Sequence, residues 1–157
     1  MGTAAHQSEI LAAGEFKIAV VAACYNDDIV AALLEGARAA WGRHGGEPDA
    51  LQVERVPGAF ELPLAARAFA LHRPVDAVVA LGCVIRGETA HFDYVAGECA
   101  RGLQQVMLET GVPVGFGVLT VENRVQALER AAPDSHNKGA EALETALSMA
   151  SLLRRLK

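Results

Sequence analysis

Four short apolar runs alternate with longer amphipathic stretches from one end of the chain to the other. The run FKIAVVAAC (16–24) is almost unbroken and rich in β-branched residues, the pattern of a strand covered on both faces. NDDIVAALLEGARAAWGRHGG follows, with Ile29, Leu33, Leu34, Ala37, Ala40 and Trp41 on one helical stripe. Asn26, Asp27 and Asp28 offer N-cap oxygens, and Gly45-Gly46 is a natural stop. ALQVERVPG (50–58) predicts a second strand with partial alternation, and AFELPLAARAFALHR a helix with Pro63 in its first turn. DAVVALGCVI (76–85) is a third buried strand. The helix after it, HFDYVAGECARGLQQVMLETG, turns Val95, Cys99, Leu103, Val106 and Met107 inward. VPVGFGVLTV (112–121) is a fourth strand, NRVQALERA a short helix, and NKGAEALETALSMASLLRRLK a terminal helix with Leu143, Ala146, Leu147 and Ala150 on one face.

Regular alternation of strand and helix predicts a parallel sheet with right-handed crossovers and helices on both faces. No linker or repeat interrupts it, so residues 1–157 read as a single α/β domain. Four strands leave sheet edges to cover, and residues 1–15 have no obvious local partner. Together these predict an N-terminal arm, 1–15, that pairs with a neighbouring subunit, because an open edge invites pairing.

Ligands of such sheets bind beyond the carboxyl ends of the strands, where helix N-termini point. The residues there are Tyr25-Asn26-Asp27, Pro57-Gly58-Ala59-Phe60-Glu61, Arg86 to His91, and those after Phe116. In RGETAH (86–91), Gly87 eases the turn and Glu88 and Thr89 stand where a helix begins. Free N–H groups gathered there attract phosphate or carboxylate; an ordinary helix start capped by Thr89, with Asp93 as a first-turn acid, has the same appearance. His91 shares the loop, and the histidine side chain is the type suited to carrying protons, although a surface histidine is the commoner fate of that residue type. Cys83 could be a nucleophile with His91 as base, or a small buried thiol. Ala59 and Phe60 expose N–H groups, and Glu61 can accept from hydroxyls or simply complement a helix dipole. Arg130 and Lys138 flank AAPDSHN; solvated surface cations look the same, but a phosphate site calls for a guanidinium.

Composition narrows the classes. Hydrophobic residues make up 52% and charged residues 21%, which a folded chain has and a disordered one lacks. Aromatics are only 5%, so the core is built from Ala, Val, Leu and Ile. A net charge of -5 argues against nucleic acid as a partner, and no apolar run approaches the ~20 residues of a membrane span. The N-terminus lacks the pattern of a signal peptide. Cys24, Cys83 and Cys99, in no CxxC spacing, suggest free thiols in a reducing, cytoplasmic setting. There is no HExxH, no histidine cluster and no GxxxxGK[ST], so neither a metal site nor an NTPase is predicted. GFGVLT (115–120) imitates the start of a dinucleotide fingerprint but lies within a strand.

Several separately placed segments, VPGAFELPLAA (56–66), DAVVALGCVIRGETAHFDYV (76–95), PVGFGVLTVEN (113–123), QALERA (126–131) and NKGAEA (137–142), resemble the lumazine synthase family of riboflavin biosynthesis. The resemblance runs from about Phe16 to Leu153. It implies a flavodoxin-like three-layer α/β/α sandwich, and a pentamer with active sites between subunits, assembled by some members into a sixty-subunit shell. It implies that 5-amino-6-(D-ribitylamino)uracil condenses with 3,4-dihydroxy-2-butanone 4-phosphate, without metal or redox cofactor. Carried over residue by residue, Tyr25 stacks on the pyrimidine with Asn26 beside it, and Gly58, Ala59, Phe60 and Glu61 hold the ribityl chain. Cys83, Val84 and Ile85 line the ring pocket through backbone. Gly87, Glu88 and Thr89 bind phosphate, completed by Arg130 from a neighbour. His91 carries the proton, Phe116 from a neighbour covers the ring, and Lys138 orients substrate. Tyr25 stands where the family usually has Phe or Trp, and Glu88 where many members have a small residue, so Glu88 is expected to face solvent. No long insertion separates Arg130 from Lys138, a feature compatible with a closed shell. The alternative is an idle relative that binds flavin or lumazine, or only builds a shell.

Overall fold

The computed structural model describes residues 11–157. In chain order the elements are β1 (Ile18–Ala23), α1 (Asp27–Arg43), β2 (Gln52–Val56), α2 (Leu62–His72), β3 (Ala77–Ile85), α3 (His91–Thr110), β4 (Val114–Val121), α4 (Arg124–Ala131) and α5 (Lys138–Arg155). The strands form one parallel sheet in the order β2-β1-β3-β4. Every predicted strand and helix is present, with ends moved by at most three residues.

The unbroken apolar runs follow from the layering. Alternate residues of a strand face opposite ways, and here both ways lead to helices. Ile18, Val20 and Ala22 of β1, with Val79, Leu81 and Cys83 of β3, pack under α1, α4 and α5. Ala19, Val21 and Ala23, with Val78 and Ala80, pack under α2 and α3. This is a three-layer α/β/α sandwich. The predicted inward stripes of α1 and α5 are buried throughout. On α3, Cys99, Leu103 and Val106 are buried, while Val95 and Met107 are only partly covered.

Small residues set the helix spacing. A Cβ on Gly139 would lie 1.9 Å from the Leu33 carbonyl oxygen, so α1 and α5 meet at backbone distance. Few aromatics are needed in such a core. The largest is Trp41, buried, with its indole N–H donating to the Glu47 carbonyl at 2.7 Å; Phe16 and Phe69 are the others.

Two expectations need correction. Residues 11–15 do have a local partner: the Leu11 N–H donates to His44 Nδ1 at 3.0 Å and the Ala13 N–H to the His44 carbonyl at 2.9 Å. Ala13 is fully buried, so this part of the predicted arm belongs to its own chain, while residues 1–10 lie outside the described residues. Phe116 does not precede a strand end either; it sits inside β4, opposite Ala80. The residues that leave β4 are Glu122, Asn123 and Arg124.

Candidate active site

From β1 the chain crosses to β2 on one side and then returns to β3 on the other, so the carboxyl ends of β1 and β3 diverge into a crevice. Asn26 spans it: its side-chain amide donates to the Cys83 carbonyl at 2.9 Å. Its backbone is left-handed, at φ 56, a conformation Asn tolerates better than most residues. Its side chain therefore does not cap α1, as the NDD pattern suggested, although Asn26 occupies the cap position. Two ion pairs hold the start of α1 in place, Arg55 with Asp27 and Arg124 with Asp28.

Beside Asn26, the Tyr25 N–H donates to the Pro57 carbonyl at 3.1 Å. The phenol ring lies over Gly58, where an added Cβ would stand 2.7 Å from Tyr25 Cδ2 and 3.3 Å from Glu61 Oε2. Gly58 thus lets an aromatic face and a carboxylate share one spot. Tyr25 is 71% exposed and Phe60 58%, two large apolar side chains left uncovered at the same rim. A stacking platform beside a hydroxyl acceptor suits a flat heterocycle with a polyol tail.

The loop after β3 supplies charge complementarity. Among the described residues, no acceptor meets the N–H groups of Gly87, Glu88, Thr89 or Ala90. Thr89 Oγ1 accepts instead from the His91 N–H, at 3.3 Å, where α3 begins. Unpaired amides just ahead of a 20-residue helix are chemically able to accept an anion. His91, next in the chain, is exposed, and so is Glu88. Val84 and Ile85 are half-buried at the strand end.

Cys83 is poorly suited to be a nucleophile. Burial pushes its thiol pKa up to about 11, opposed only by the charge of Arg124. Burial likewise takes Cys99 to about 12. A protonated, buried thiol is a poor nucleophile at neutral pH. Among the described residues, no group of three His, Cys, Asp or Glu side chains could hold a metal ion.

The remaining predicted residues lie elsewhere on the chain. Phe116 is half exposed in the middle of edge strand β4. Arg130, exposed at the end of α4, donates to the Gln126 carbonyl at 2.9 Å. Lys138 opens α5 and pairs with Glu141 at 2.8 Å. Asn137, buried between them, donates to the carbonyls of Ala32, Ala131 and Ala132, which anchors that turn to the flank of α1. One chain therefore carries two sets: Tyr25, Asn26, Gly58 to Glu61, Cys83 to Ile85, Gly87 to Thr89 and His91 at the strand ends, and Phe116, Arg130 and Lys138 on other surfaces.

A family model described as 6,7-dimethyl-8-ribityllumazine synthase matches residues 15–154. The chain belongs to this family. Among its relatives, a protein named 6,7-dimethyl-8-ribityllumazine synthase from Thermus thermophilus is 51% identical over 146 residues, 93% of each chain. One of the same name from Halorhodospira halophila is 49% identical over 151 residues, covering 96% of this chain and 97% of the relative. The family's sandwich accounts for the sheet order seen here, since a flavodoxin-like fold places its ligand where β1 and β3 part. The sequence does not reveal the bonds of Arg86 to Glu122 and Asp93, nor the long-range bond of Asn26. Neither has a local pattern to betray it.

Proposed function

We propose that this chain condenses 5-amino-6-(D-ribitylamino)uracil with 3,4-dihydroxy-2-butanone 4-phosphate to 6,7-dimethyl-8-ribityllumazine, releasing phosphate and water. Family membership and about half identity over nearly the whole length support the reaction. The observation that carries the site is the row of acceptor-free amides from Gly87 to Ala90 with His91 next in sequence. A phosphate bound there leaves as an anion while the imidazole exchanges protons with the reacting imine. Tyr25 stacks on the pyrimidine with Asn26 beside it. Gly58, Ala59, Phe60 and Glu61 take the ribityl chain, and the backbone of Cys83, Val84 and Ile85 lines the ring.

Phe116, Arg130 and Lys138 reach this site from a neighbouring copy. Their placement away from the crevice supports that reading. So do Leu64, Tyr94 and Leu108, each more than 70% exposed on the α2–α3 layer, an apolar face for a partner to cover. The assembly is a pentamer or a multiple of it, up to a sixty-subunit shell. Gathering two substrates into one orientation supplies much of the rate, no cofactor is required, and the setting is cytoplasmic. Among the described residues, no helix is long and apolar enough to cross a membrane.

Mixing the purified protein with both substrates and following lumazine fluorescence tests the reaction. Absence of product, with binding of lumazine retained, would leave the idle or shell-forming reading. Arg130→Ala is expected to raise the KM for the butanone phosphate selectively.

A further inference from the structure

We propose that Arg86 is a positioning residue for the anion seat, fixing the loop from Gly87 to Ala90 without itself touching the anion; this rests on the phosphate reading of that loop. Arg86 is the first residue beyond β3, and its backbone N–H still donates to the Val121 carbonyl at 2.9 Å. Its side chain is engaged by neighbouring carboxylates. Nε donates to both oxygens of Glu122, at 2.9 and 3.2 Å, and Nη1 to Asp93 Oδ1 at 3.2 Å. The guanidinium also lies 4.2 Å from the centroid of the Phe92 ring. One side chain therefore ties the end of β3, the exit of β4 and the first turn of α3 together.

The loop needs such a tie. Residues 86 to 91 are all exposed, so they have no packing of their own, and a Cβ on Gly87 would meet nothing within 4 Å. Between its ends the only side-chain bond is the one from the His91 N–H to Thr89. The body of α3 is held to the sheet by Cys99, Leu103 and Val106, while its first turn is gripped by Arg86 through Asp93 and Phe92. Surface ion pairs add little to stability, but a forked, stacked guanidinium sets geometry. A shift of about 1 Å in a positioned group can cost 10²-fold in rate. The charge of Arg86 is also committed: two carboxylates face it, so the seat draws its positive character from amides and from Arg130.

Five proteins decide the matter: wild type, Arg86→Met, Arg86→Lys, Glu122→Gln and the double variant Arg86→Met/Glu122→Gln, each checked for fold by circular dichroism. The readouts are kcat, the KM of each substrate, and the affinity for inorganic phosphate. Arg86→Met is expected to lower kcat/KM for the butanone phosphate about 10²-fold and to weaken inorganic phosphate, with the KM of the pyrimidine unchanged. Glu122→Gln is expected to act in the same direction, and the double variant to be no worse than Arg86→Met, because the two residues act as one unit. Arg86→Lys, which keeps the charge and loses the fork, is expected not to restore the wild-type values. A direct phosphate contact predicts the reverse for Glu122→Gln, a tighter phosphate, and that result overturns the proposal, as does full rescue by lysine or wild-type kinetics in Arg86→Met. If the wild type makes no lumazine, the proposed function fails separately, and inorganic phosphate decides: equal affinity in wild type and Arg86→Met, or binding to neither, overturns the positioning role.

Discussion

The side-chain amide of Asn26 reaches across the gap between β1 and β3 to the carbonyl of Cys83, at 2.9 Å. That one bond fixes the width of the crevice at its floor and satisfies a carbonyl where the strands part. Asn26→Ala deletes the bond and puts a residue that resists φ 56 in its place. The expected loss is about 1–3 kcal/mol, read from the urea midpoint, together with a higher KM for the pyrimidine. An unchanged midpoint would mean that the crevice is held open by other contacts.

Gly58 yields the opposite kind of variant. An added methyl would press on the Tyr25 ring, which is free to swing outward because it is exposed. Gly58→Ala should therefore fold with nearly wild-type stability while its pyrimidine KM rises about tenfold, the equivalent of some 1.4 kcal/mol of stacking. Substrate titration beside a melting curve separates the two effects.

For His91, the expected loss on replacement by alanine is on the order of 10²–10⁴ in kcat, the range of acid–base groups. Binding should change less, since the amides of the loop remain. Turnover at the wild-type rate would remove the imidazole from the chemistry.

The two buried thiols make stability fall in alkali. Their folded pKa values, about 11 for Cys83 and about 12 for Cys99, lie above the ordinary value of 9.0. Between pH 9 and those values the unfolded chain gives up protons that the folded chain keeps, so unfolding becomes easier as pH rises. Each thiol contributes a slope of up to about 1.4 kcal/mol per pH unit in that window and nothing below it. Denaturant midpoints measured from pH 8 to 10.5 on wild type and Cys99→Ala should diverge, with the variant the flatter of the two. Exposed Cys24 should be alkylated in the native protein well before the other two.

How much of this was legible beforehand depended on the range of the interaction. β1 and β3 could be read because both faces of each are covered, so the apolar run is unbroken. Stripes such as Leu143, Ala146, Leu147 and Ala150 likewise follow from local period alone. Arg86 could not be read, because its partner Glu122 lies 36 positions further on. Asn26 was misread for a related reason: NDD before a helix is a capping pattern, and only the fold reveals that the amide has another acceptor. GFG in β4 imitates the start of a dinucleotide fingerprint; in the structure Gly115 and Gly117 make room for α5, since a Cβ on Gly115 would sit 2.1 Å from the Ala142 carbonyl oxygen. Residues 11–15 were assigned to a neighbour because their partner, His44, lies beyond the far end of α1.

The division of the candidate residues between two surfaces has a genetic corollary. A chain without its imidazole still owns a guanidinium to lend, and a chain without that guanidinium still owns an imidazole. His91→Ala and Arg130→Ala proteins, each crippled when pure, are therefore expected to complement one another after being unfolded and refolded together, with roughly one site in four rebuilt intact by chance pairing across a head-to-tail contact.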